Sequence, residues 1–213
     1  MKGMNFDLHV HTNISSCSKL EIGDILRYAR AFGLDGVCIT DHQTMEIRHH
    51  LREGIQEDGL CVIFGMEYST QDGDFLIFGP FEDIPPTLSA EDMLALVDKC
   101  GGLAIAAHPF RSNRPVGEHI IRQGRCRAIE SINGRNTRLE NLCAQQWYQK
   151  YELTQTGGSD AHTLEELGRV KTRFDIPVRS RSDLIFALKN GLCQPEWDNS
   201  GSGEISRNIV VNA

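Results

Sequence analysis

Short apolar runs that end in histidine or acidic residues constrain this chain more than any other feature. In the first run, residues 6–11, His9 and His11 lie two positions apart, so in a strand their side chains point to the same face. The apolar residues between them point to the opposite face, where we expect them to pack on helices. The polar residues at the ends of the runs are His9, His11, Asp41, His42, Glu67, His108, Asp160 and His162. This pattern predicts a metal centre inside a barrel.

Apolar segments alternate with helix-length amphipathic segments, which is typical of an α/β fold with buried parallel strands. Residues 22–32, for example, form a single apolar stripe that ends at Gly33. Residues 67–78 are too short to contain a crossover helix, and the turn sequence Gln71-Asp72-Gly73 predicts a hairpin there. The predicted strands are residues 6–11, 36–40, 61–66, 75–78, 103–107, 128–132 and 153–157, and further helices are predicted at 45–53, 93–99 and 181–190.

A chain of 213 residues without an internal repeat has the length of one large domain. We assign residues 1–197 to this domain and expect residues 198–213 to be a flexible tail, because they begin Asp-Asn-Ser-Gly-Ser-Gly. No apolar run approaches the roughly 18 residues of a membrane span, and the start of the chain has no signal-like stretch. The seven scattered cysteines indicate no disulfide framework. Together these features predict a cytoplasmic protein without membrane contact.

The charge balance bears on the partners of the protein. Lys and Arg number 22 against 29 Asp and Glu, which gives a formal net charge of −7 at pH 7. Non-specific binding to nucleic-acid backbones is typical of basic proteins, so we expect no strong nucleic-acid binding. The sequence leaves the oligomeric state open.

Five ordered motifs carry a resemblance to a known family: Asp7-Leu8-His9-Val10-His11-Thr12, Ile39-Thr40-Asp41-His42, Gly65-Met66-Glu67, Ala107-His108-Pro109 and Gly158-Ser159-Asp160-Ala161-His162. From about residue 7 to about residue 191 the chain resembles the PHP (polymerase and histidinol phosphatase) family of metal-dependent phosphoesterases. The resemblance implies a distorted seven-stranded (β/α)7 TIM-like barrel with the metal site at the C-terminal ends of the strands. It also implies two or three divalent metal ions, and imidazole and carboxylate ligands suit zinc, manganese or iron.

The resemblance implies a role for each residue that matches a motif. The implied metal ligands are His9, His11, Glu67 and Asp160 in one site, His42 and His108 in a second, and His162 in a third. Glu67 would also bridge two ions. The chain departs from the family pattern where it has Cys17 and Asp74, and of these two we expect Asp74 to be a ligand. Asp7 and Asp41 are expected to orient the histidines without contacting metal.

The implied reaction is hydrolysis of a phosphate ester, with a hydroxide that bridges two metal ions as the nucleophile. We expect Asp160, His162 and Arg111 to be catalytic, and His162 is also the candidate proton donor. Arg111, Asn133 and Arg135 follow strand ends, and a forked guanidinium fits phosphate oxygens, so we expect these residues to bind substrate. The expected substrate is a small phosphorylated molecule such as a nucleotide or histidinol phosphate.

Three other interpretations stay open. An amidohydrolase barrel also begins with His-x-His and ends with an aspartate, although no lysine that could be carboxylated ends a middle strand here. A metal-binding module that has lost its activity is suggested by Cys17 and Asp74. A nucleic-acid exonuclease would represent another branch of the family, and the net charge of −7 and the single-domain length argue against it.

Overall fold

The computed structural model describes residues 3–198, which form two mixed sheets surrounded by helices. The strands are β1 Met4–Val10, β2 Gly36–Ile39, β3 Gly54–Ile55, β4 Cys61–Phe64, β5 Met66–Thr70, β6 Gly73–Phe78, β7 Leu103–Ala106, β8 Ala128–Asn133, β9 Thr154–Gly158, β10 Val170–Phe174 and β11 Cys193–Trp197. The helices are α1 Ile22–Tyr28, α2 Ala90–Lys99, α3 Glu118–Arg122, α4 Arg138–Tyr151 and α5 Arg181–Lys189, with a 3-10 helix at Glu46–His49. The predicted tail lies outside the described residues from position 199 onward, whereas Asp198 donates its backbone N–H to the carbonyl of Arg169.

The two sheets meet at the end where the predicted metal ligands lie. One sheet has the strand order β11-β10-β1-β2-β4-β3 and the other has the order β5-β6-β7-β8-β9. Strands β1, β2 and β4 run parallel, and so do β7, β8 and β9. Isolated bridges pair Val10 with Ala161 and His42 with Glu67, close to the strand ends. Side chains from both sheets therefore converge at this edge.

The α/β fold is confirmed, but a closed seven-stranded (β/α)7 barrel is not. Each predicted strand is present, and β3, β5, β10 and β11 are additional. The hairpin predicted around Gln71-Asp72-Gly73 forms between β5 and β6, and Gly73 supplies the positive φ of 112° that the turn requires. Because this hairpin reverses the chain, β6 runs antiparallel to β7. In the other sheet, β10 runs antiparallel to β1. These reversals interrupt the regular strand–helix repeat.

The helix predicted at residues 45–53 is shorter than expected. Only Glu46–His49 is helical, as one 3-10 turn. Gly54–Ile55 pairs with β4, and the Glu53 carboxylate accepts the backbone N–H of Phe64 at 2.9 Å. Residues 53–55 therefore pair along the edge of the sheet and do not continue the helix. The longest helix, α4, has 14 residues, and within residues 3–198 no helix is long and apolar enough to cross a membrane.

The apolar face of β1 packs on helices as predicted, but on two different ones. Phe6 and Leu8 belong to a buried cluster that includes the inner face of α5, whereas Val10 packs in the cluster beneath α1. The change coincides with a register shift between β1 and β2 at positions Asp7 to Val10. Helix α5 thus contributes Leu184, Ala187 and Leu188 to a buried cluster that also contains residues of both sheets.

Candidate metal centre

The residues that follow the strand ends form one buried cluster of histidines and carboxylates. His9 and His11 lie on β1 and are both 0% exposed. Glu67 lies at the start of β5 and is 1% exposed. All eight predicted ligands belong to groups whose donor atoms lie within 4.8 Å of one another: His9, His11, His42, Glu67, Asp74, His108, Asp160 and His162.

The first group of donor atoms has the dimensions of a coordination shell. Nε2 of His9 lies 3.0 Å from Nε2 of His11, and these nitrogens lie 3.4 and 3.2 Å from Oε2 of Glu67. Oδ1 of Asp160 lies 3.6 and 3.4 Å from the same two nitrogens. Ligands about 2.1 Å from an ion are separated by about 3.0 Å in an octahedron and about 3.4 Å in a tetrahedron. The spacing of these four donors therefore fits a divalent transition metal.

Glu67 connects the first group to a second one. Its Oε1 lies 2.8 Å from Nε2 of His108, and Nε2 of His108 lies 4.0 Å from Oδ2 of Asp74. Its Oε2 faces the other way, toward the first group and toward Nδ1 of His42 at 3.0 Å. One carboxylate thus presents its two oxygens to different histidines, which is the arrangement expected of a bridging ligand.

The third group contains His11, His42 and His162. The family resemblance implied that His42 and His108 share a site, but in the structure these two residues contact different oxygens of Glu67 and fall in different groups. Nδ1 of His162 lies 2.8 Å from the backbone carbonyl of Asp160. Because a carbonyl can only accept, Nδ1 carries the proton, and Nε2 of a neutral His162 is free to act as a ligand.

Glu130, which was not among the predicted site residues, contacts His9 and His108 on the side away from the donor atoms of the cluster. Its Oε1 lies 3.0 Å from Nδ1 of His9, and its Oε2 accepts the backbone N–H of His108 at 2.8 Å. Glu130 is 1% exposed and lies in the middle of β8. A single carboxylate inside an otherwise buried six-residue strand is the signal that could have identified it.

Neither of the two aspartates expected to orient the histidines contacts an imidazole directly. Asp7 accepts backbone N–H groups of His9, Ser159 and Gly168 at 3.3, 2.9 and 2.9 Å, so it ties chain segments together and does not contact an imidazole. Asp41 accepts the Ser15 hydroxyl at 2.6 Å, and that hydroxyl lies 3.5 Å from Nδ1 of His11. Glu130 therefore takes the role on His9 that the sequence analysis gave to these residues.

The backbone at two of the ligands is held in the left-handed region. His108 has a φ of 27° and Asp160 a φ of 54°, conformations that cost on the order of 1–3 kcal/mol for residues other than glycine. The hydrogen bond from the backbone N–H of His108 to Glu130 helps to hold one of them. Nδ1 of His108 is buried and has no hydrogen-bond partner among residues 3–198. Strain and an unpaired buried nitrogen in one cluster indicate a site built for a ligand.

Buried opposite charges dominate the electrostatics of the cluster. Burial by itself lowers the pKa of His9, but the carboxylates of Asp160, Glu130 and Glu67 raise this pKa well above its usual range. Burial raises the pKa of Glu67, yet His9 and the hydrogen bonds from His108 and His11 hold it well below its usual range. The pKa of Asp160 is likewise held low against burial by His9 and His11. Ionised carboxylates at this depth need a positive partner, which a divalent cation can supply.

The predicted substrate-binding residues lie at the rim of the cluster. Nη2 of Arg111 lies 2.6 Å from Oδ2 of Asp160 and 3.0 Å from Oδ1 of Asn133. Asn133 is buried, and its amide donates to Glu130 at 2.9 Å. Nε of Arg135 lies 3.5 Å from Oε1 of Glu166 at the edge of the rim.

A second rim arginine and the exposed cysteine complete the surroundings. Nη2 of Arg114, which was not among the predicted site residues, lies 2.8 Å from Oδ1 of Asp74. Asp74 thus presents one oxygen to Arg114 and the other toward His108. Cys17 is exposed and belongs to none of the ligand groups found in residues 3–198. Arg111, Arg114 and Arg135 therefore form a positive rim around a negative, histidine-rich centre.

Several solved structures share this fold. PsfC from Pseudomonas syringae is 21% identical with a TM-score of 0.75, and the alignment covers 100% of this chain and 99% of PsfC. A two-domain protein from Bacteroides vulgatus, described as containing a predicted PHP-like metal-dependent phosphoesterase, is 20% identical with a TM-score of 0.66, covering 92% of this chain and 65% of that one. An amidohydrolase from Chromobacterium violaceum has a TM-score of 0.56 at 16% identity, covering 85% and 96%.

One further structural neighbour corrects the expectation about nucleic acid. Endonuclease Q, solved in complex with a 27-mer duplex substrate that has an abasic lesion at the active site, is 17% identical with a TM-score of 0.69. The alignment covers 88% of this chain and 57% of Endonuclease Q. A protein with the same fold thus binds DNA, and the exclusion drawn from the net charge of −7 is wrong. Local charge at a binding surface, and not the total for the chain, governs contact with phosphates.

Sequence comparisons place the chain in a family. The uncharacterized protein MJ1587 of Methanocaldococcus jannaschii is 35% identical over 117 residues, which cover 50% of this chain and 68% of that protein. MJ0417 of the same organism is 27% identical over 191 residues, covering 85% and 75%. A PHP-associated family model matches residues 138–193, and the PHP domain model matches residues 7–164. The chain therefore belongs to the PHP domain family.

Proposed function

We propose that this protein is a metal-dependent phosphoesterase that hydrolyses a small phosphorylated molecule. The observation that carries the proposal is the position of Glu67, whose two oxygens face different histidines 3.0 Å and 2.8 Å away, next to the first group of donors. This arrangement suits two ions that share a carboxylate. The arginine rim beside it suits an anionic substrate, because guanidinium groups bind phosphate oxygens.

The residues present fit divalent ions by number, spacing and chemistry. His9, His11, Glu67 and Asp160 would hold one ion. Glu67, His108 and Asp74 would hold a second. His11, His42 and His162 would hold a third. Nitrogen and carboxylate donors suit zinc, manganese or iron. When bound, such ions lower the pKa of water and stabilise charge on the phosphoryl oxygens.

The protein side chains have separate tasks in this proposal. Glu130 holds His9 in one orientation, with Nδ1 committed and Nε2 directed into the cluster. Arg111 binds the phosphoryl group while it also contacts Asp160, so substrate and ligand are positioned together. Arg135 and Asn133 contribute to binding at the rim. His162 is better suited to be a ligand than a proton donor, because burial and His11 lower its pKa.

The exposure of the rim supports a small or flexible substrate end that enters from solvent. The side chains of Arg114 and Arg135 are 45% and 43% exposed, and the side chain of His42 is 38% exposed. Phosphate groups attached to bulky molecules could also approach such an open site. The substrate tests therefore include phosphodiesters and abasic duplex DNA beside small monoesters.

The first experiment combines elemental analysis with turnover. Purified protein is assayed on p-nitrophenyl phosphate and bis-p-nitrophenyl phosphate before chelation, after chelation, and after addition of zinc, manganese or iron. We expect bound metal and turnover that chelation abolishes and metal restores. Glu67→Gln is the test variant, and Glu118→Gln is the matched control because Glu118 lies on the surface and pairs with Lys150. Chelator-resistant turnover, or protein that binds no metal, would overturn the proposal.

The same protein samples, assayed also on amide and lactone substrates and on abasic duplex DNA, test three other functions. Hydrolysis of amide or lactone substrates without phosphoester turnover would favour the amidohydrolase function. Metal binding without turnover of any ester would indicate an inactive module. Cleavage of abasic duplex DNA in preference to nucleotides would show that the substrate is a polymer.

A cytoplasmic location is part of this proposal. All seven cysteines are free thiols, and four of them are buried. A reducing compartment keeps such thiols unpaired. Fractionation of host cells checks the location, and recovery from the extracellular fraction alone would contradict it.

A further inference from the structure

The guanidinium of Arg111 is held by side chains on one edge. Nη2 donates to Asp160 at 2.6 Å, to Asn133 at 3.0 Å and to Asn136 at 3.2 Å, and Nε donates to the same Asn136 oxygen at 3.3 Å. The hydrogen bonds among residues 3–198 leave Nη1 without a protein acceptor. The side chain is 24% exposed, so the arginine is fixed along one edge and open along the other.

Asn136 is itself held in one orientation. Its Nδ2 donates to Oδ1 of Asn141 at 3.2 Å, which directs its own oxygen toward Arg111. Oδ1 of Asn141 also accepts the backbone N–H of Asn133 at 3.0 Å, and Nδ2 of Asn141 donates to the carbonyl of Asn133 at 3.1 Å. Asn141 is 5% exposed. Hydrogen bonds thus connect Asn133, Asn136 and Asn141 to one another, and Asn133 and Asn136 in turn contact the partly exposed Arg111.

The first turn of α4 anchors the loop that carries Arg111. Oε1 of Glu140 accepts the backbone N–H of Ser112 at 3.1 Å, next to Arg111. Glu140 also completes a capping box with Thr137 at the start of the helix. The helix, the loop and the arginine are therefore connected by hydrogen bonds at both the backbone and the side-chain level.

We propose that Asn136 is a positioning residue that aims Nη1 of Arg111 at the substrate phosphoryl group. The proposal rests on the phosphoesterase function proposed above and deepens it. Arginine has five N–H donors in a planar fork, and fixing Nε and Nη2 fixes the direction of the remaining two on Nη1. A freely rotating arginine would lose this preorganisation in each binding event. Asn136 acts on the reaction through Arg111 and does not contact the metal ligands.

The kinetic test uses the metal-loaded full chain and four variants: Asn136→Ala, Asn136→Asp, Arg111→Ala and the double variant Arg111→Ala/Asn136→Ala. We expect Asn136→Ala to raise KM about tenfold with kcat within about twofold, and to weaken inhibition by inorganic phosphate about tenfold. Asn136→Asp keeps an oxygen for Arg111 but loses the Nδ2–H donor to Oδ1 of Asn141, so its KM should lie between those of the wild type and Asn136→Ala. Asn190→Ala is the matched control, because this exposed asparagine bonds only the backbone at the end of α5.

The double variant separates positioning from a general structural effect. If Asn136 acts through Arg111, adding Asn136→Ala to Arg111→Ala changes KM by less than about twofold further. Additive effects, or a fall in kcat with loss of metal on elemental analysis, would overturn the proposal.

A second measurement does not depend on turnover. In ¹⁵N-arginine-labelled protein, the Nε–H resonance of Arg111, assigned by its absence in Arg111→Ala, should be protected from solvent exchange. Asn136→Ala should speed that exchange at least about tenfold, and Asn190→Ala should not. If this result holds while no phosphoester is hydrolysed, the proposed function fails but the positioning contact stands. Unchanged exchange in Asn136→Ala would overturn the positioning role itself.

Discussion

Oε1 of Glu130 lies 3.0 Å from Nδ1 of His9, and this contact decides which nitrogen of His9 faces the cluster. With Nδ1 committed, Nε2 points to Nε2 of His11 at 3.0 Å. Glu130 also accepts the backbone N–H of His108, so one buried carboxylate contacts candidate ligands on β1 and just after β7. Loss of a contact that orients a metal ligand commonly costs about 10- to 100-fold in metal affinity.

Replacing Glu130 with glutamine should therefore weaken metal binding. The glutamine NH₂ would meet either the N–H of His108 or His9, and a buried donor would lose its acceptor. We expect metal affinity to fall about tenfold to a hundredfold and the free energy of unfolding to fall by about 2 kcal/mol. Chelator competition and urea unfolding measure the two effects. Glu118→Gln is the control, and an affinity equal to wild type in Glu130→Gln would contradict this role.

Substitution of Glu67 should remove more metal ions per chain than substitution of Asp74. Glu67 offers one oxygen to His42 and the other to His108, whereas Asp74 faces only His108 and Arg114. Glu67→Gln should therefore deplete more than one ion per chain, and Asp74→Asn at most about one. Elemental analysis after extensive dialysis provides the count. Equal losses in the two variants would argue against a bridging role for Glu67.

Metal binding should release protons in a pH-dependent way. Although burial lowers the pKa of His9, the nearby carboxylates raise it well above its usual range, which favours a proton on His9 in the metal-free protein. A metal must displace that proton. We expect release of about one proton or more per first ion at pH 7, and metal affinity that rises with pH until the pKa of His9 is passed. Titration in weak buffer with a pH electrode measures the release.

The raised pKa of His9 also predicts opposite pH dependences of stability for the metal-free and the metal-loaded protein. Because a raised histidine pKa stabilises the metal-free fold at low pH, that contribution is lost as pH rises through the folded pKa. Chelated protein should therefore lose stability on going to alkaline pH, while metal-loaded protein gains it over the same range. A chelated protein whose stability is insensitive to alkaline pH would contradict the charge assignment of His9.

Asp7 should contribute to stability more than to catalysis. Its carboxylate accepts three backbone N–H groups, from β1 and from the segments at Ser159 and Gly168. Asp7→Asn would place an NH₂ group against one of these donors, and we expect the free energy of unfolding to fall by about 2 to 3 kcal/mol. Thermal unfolding of the variant beside Asp83→Asn, an exposed control, checks this. A difference below about 0.5 kcal/mol would contradict the tethering role.

The sequence by itself predicted each of the seven strands and identified the candidate metal ligands. Period-two spacing put His9 and His11 on one face, and the turn at Gln71-Asp72-Gly73 produced the β5–β6 hairpin. Both are local properties, because strand alternation and turn geometry depend on a few adjacent residues. The ordered motifs also identified the family, which the match over residues 7–164 confirms.

Only the tertiary structure decided which residues act together. His42 joins His11 and His162 and not His108, Glu130 reaches His9 from another strand, and Asn136 holds Arg111 across two loops. The reversal of β6 and β10, which leaves two mixed sheets, also depends on pairing between distant segments. These contacts depend on how strand ends and loops meet in space, and side-chain partners far apart in the chain leave no local pattern from which they could be predicted.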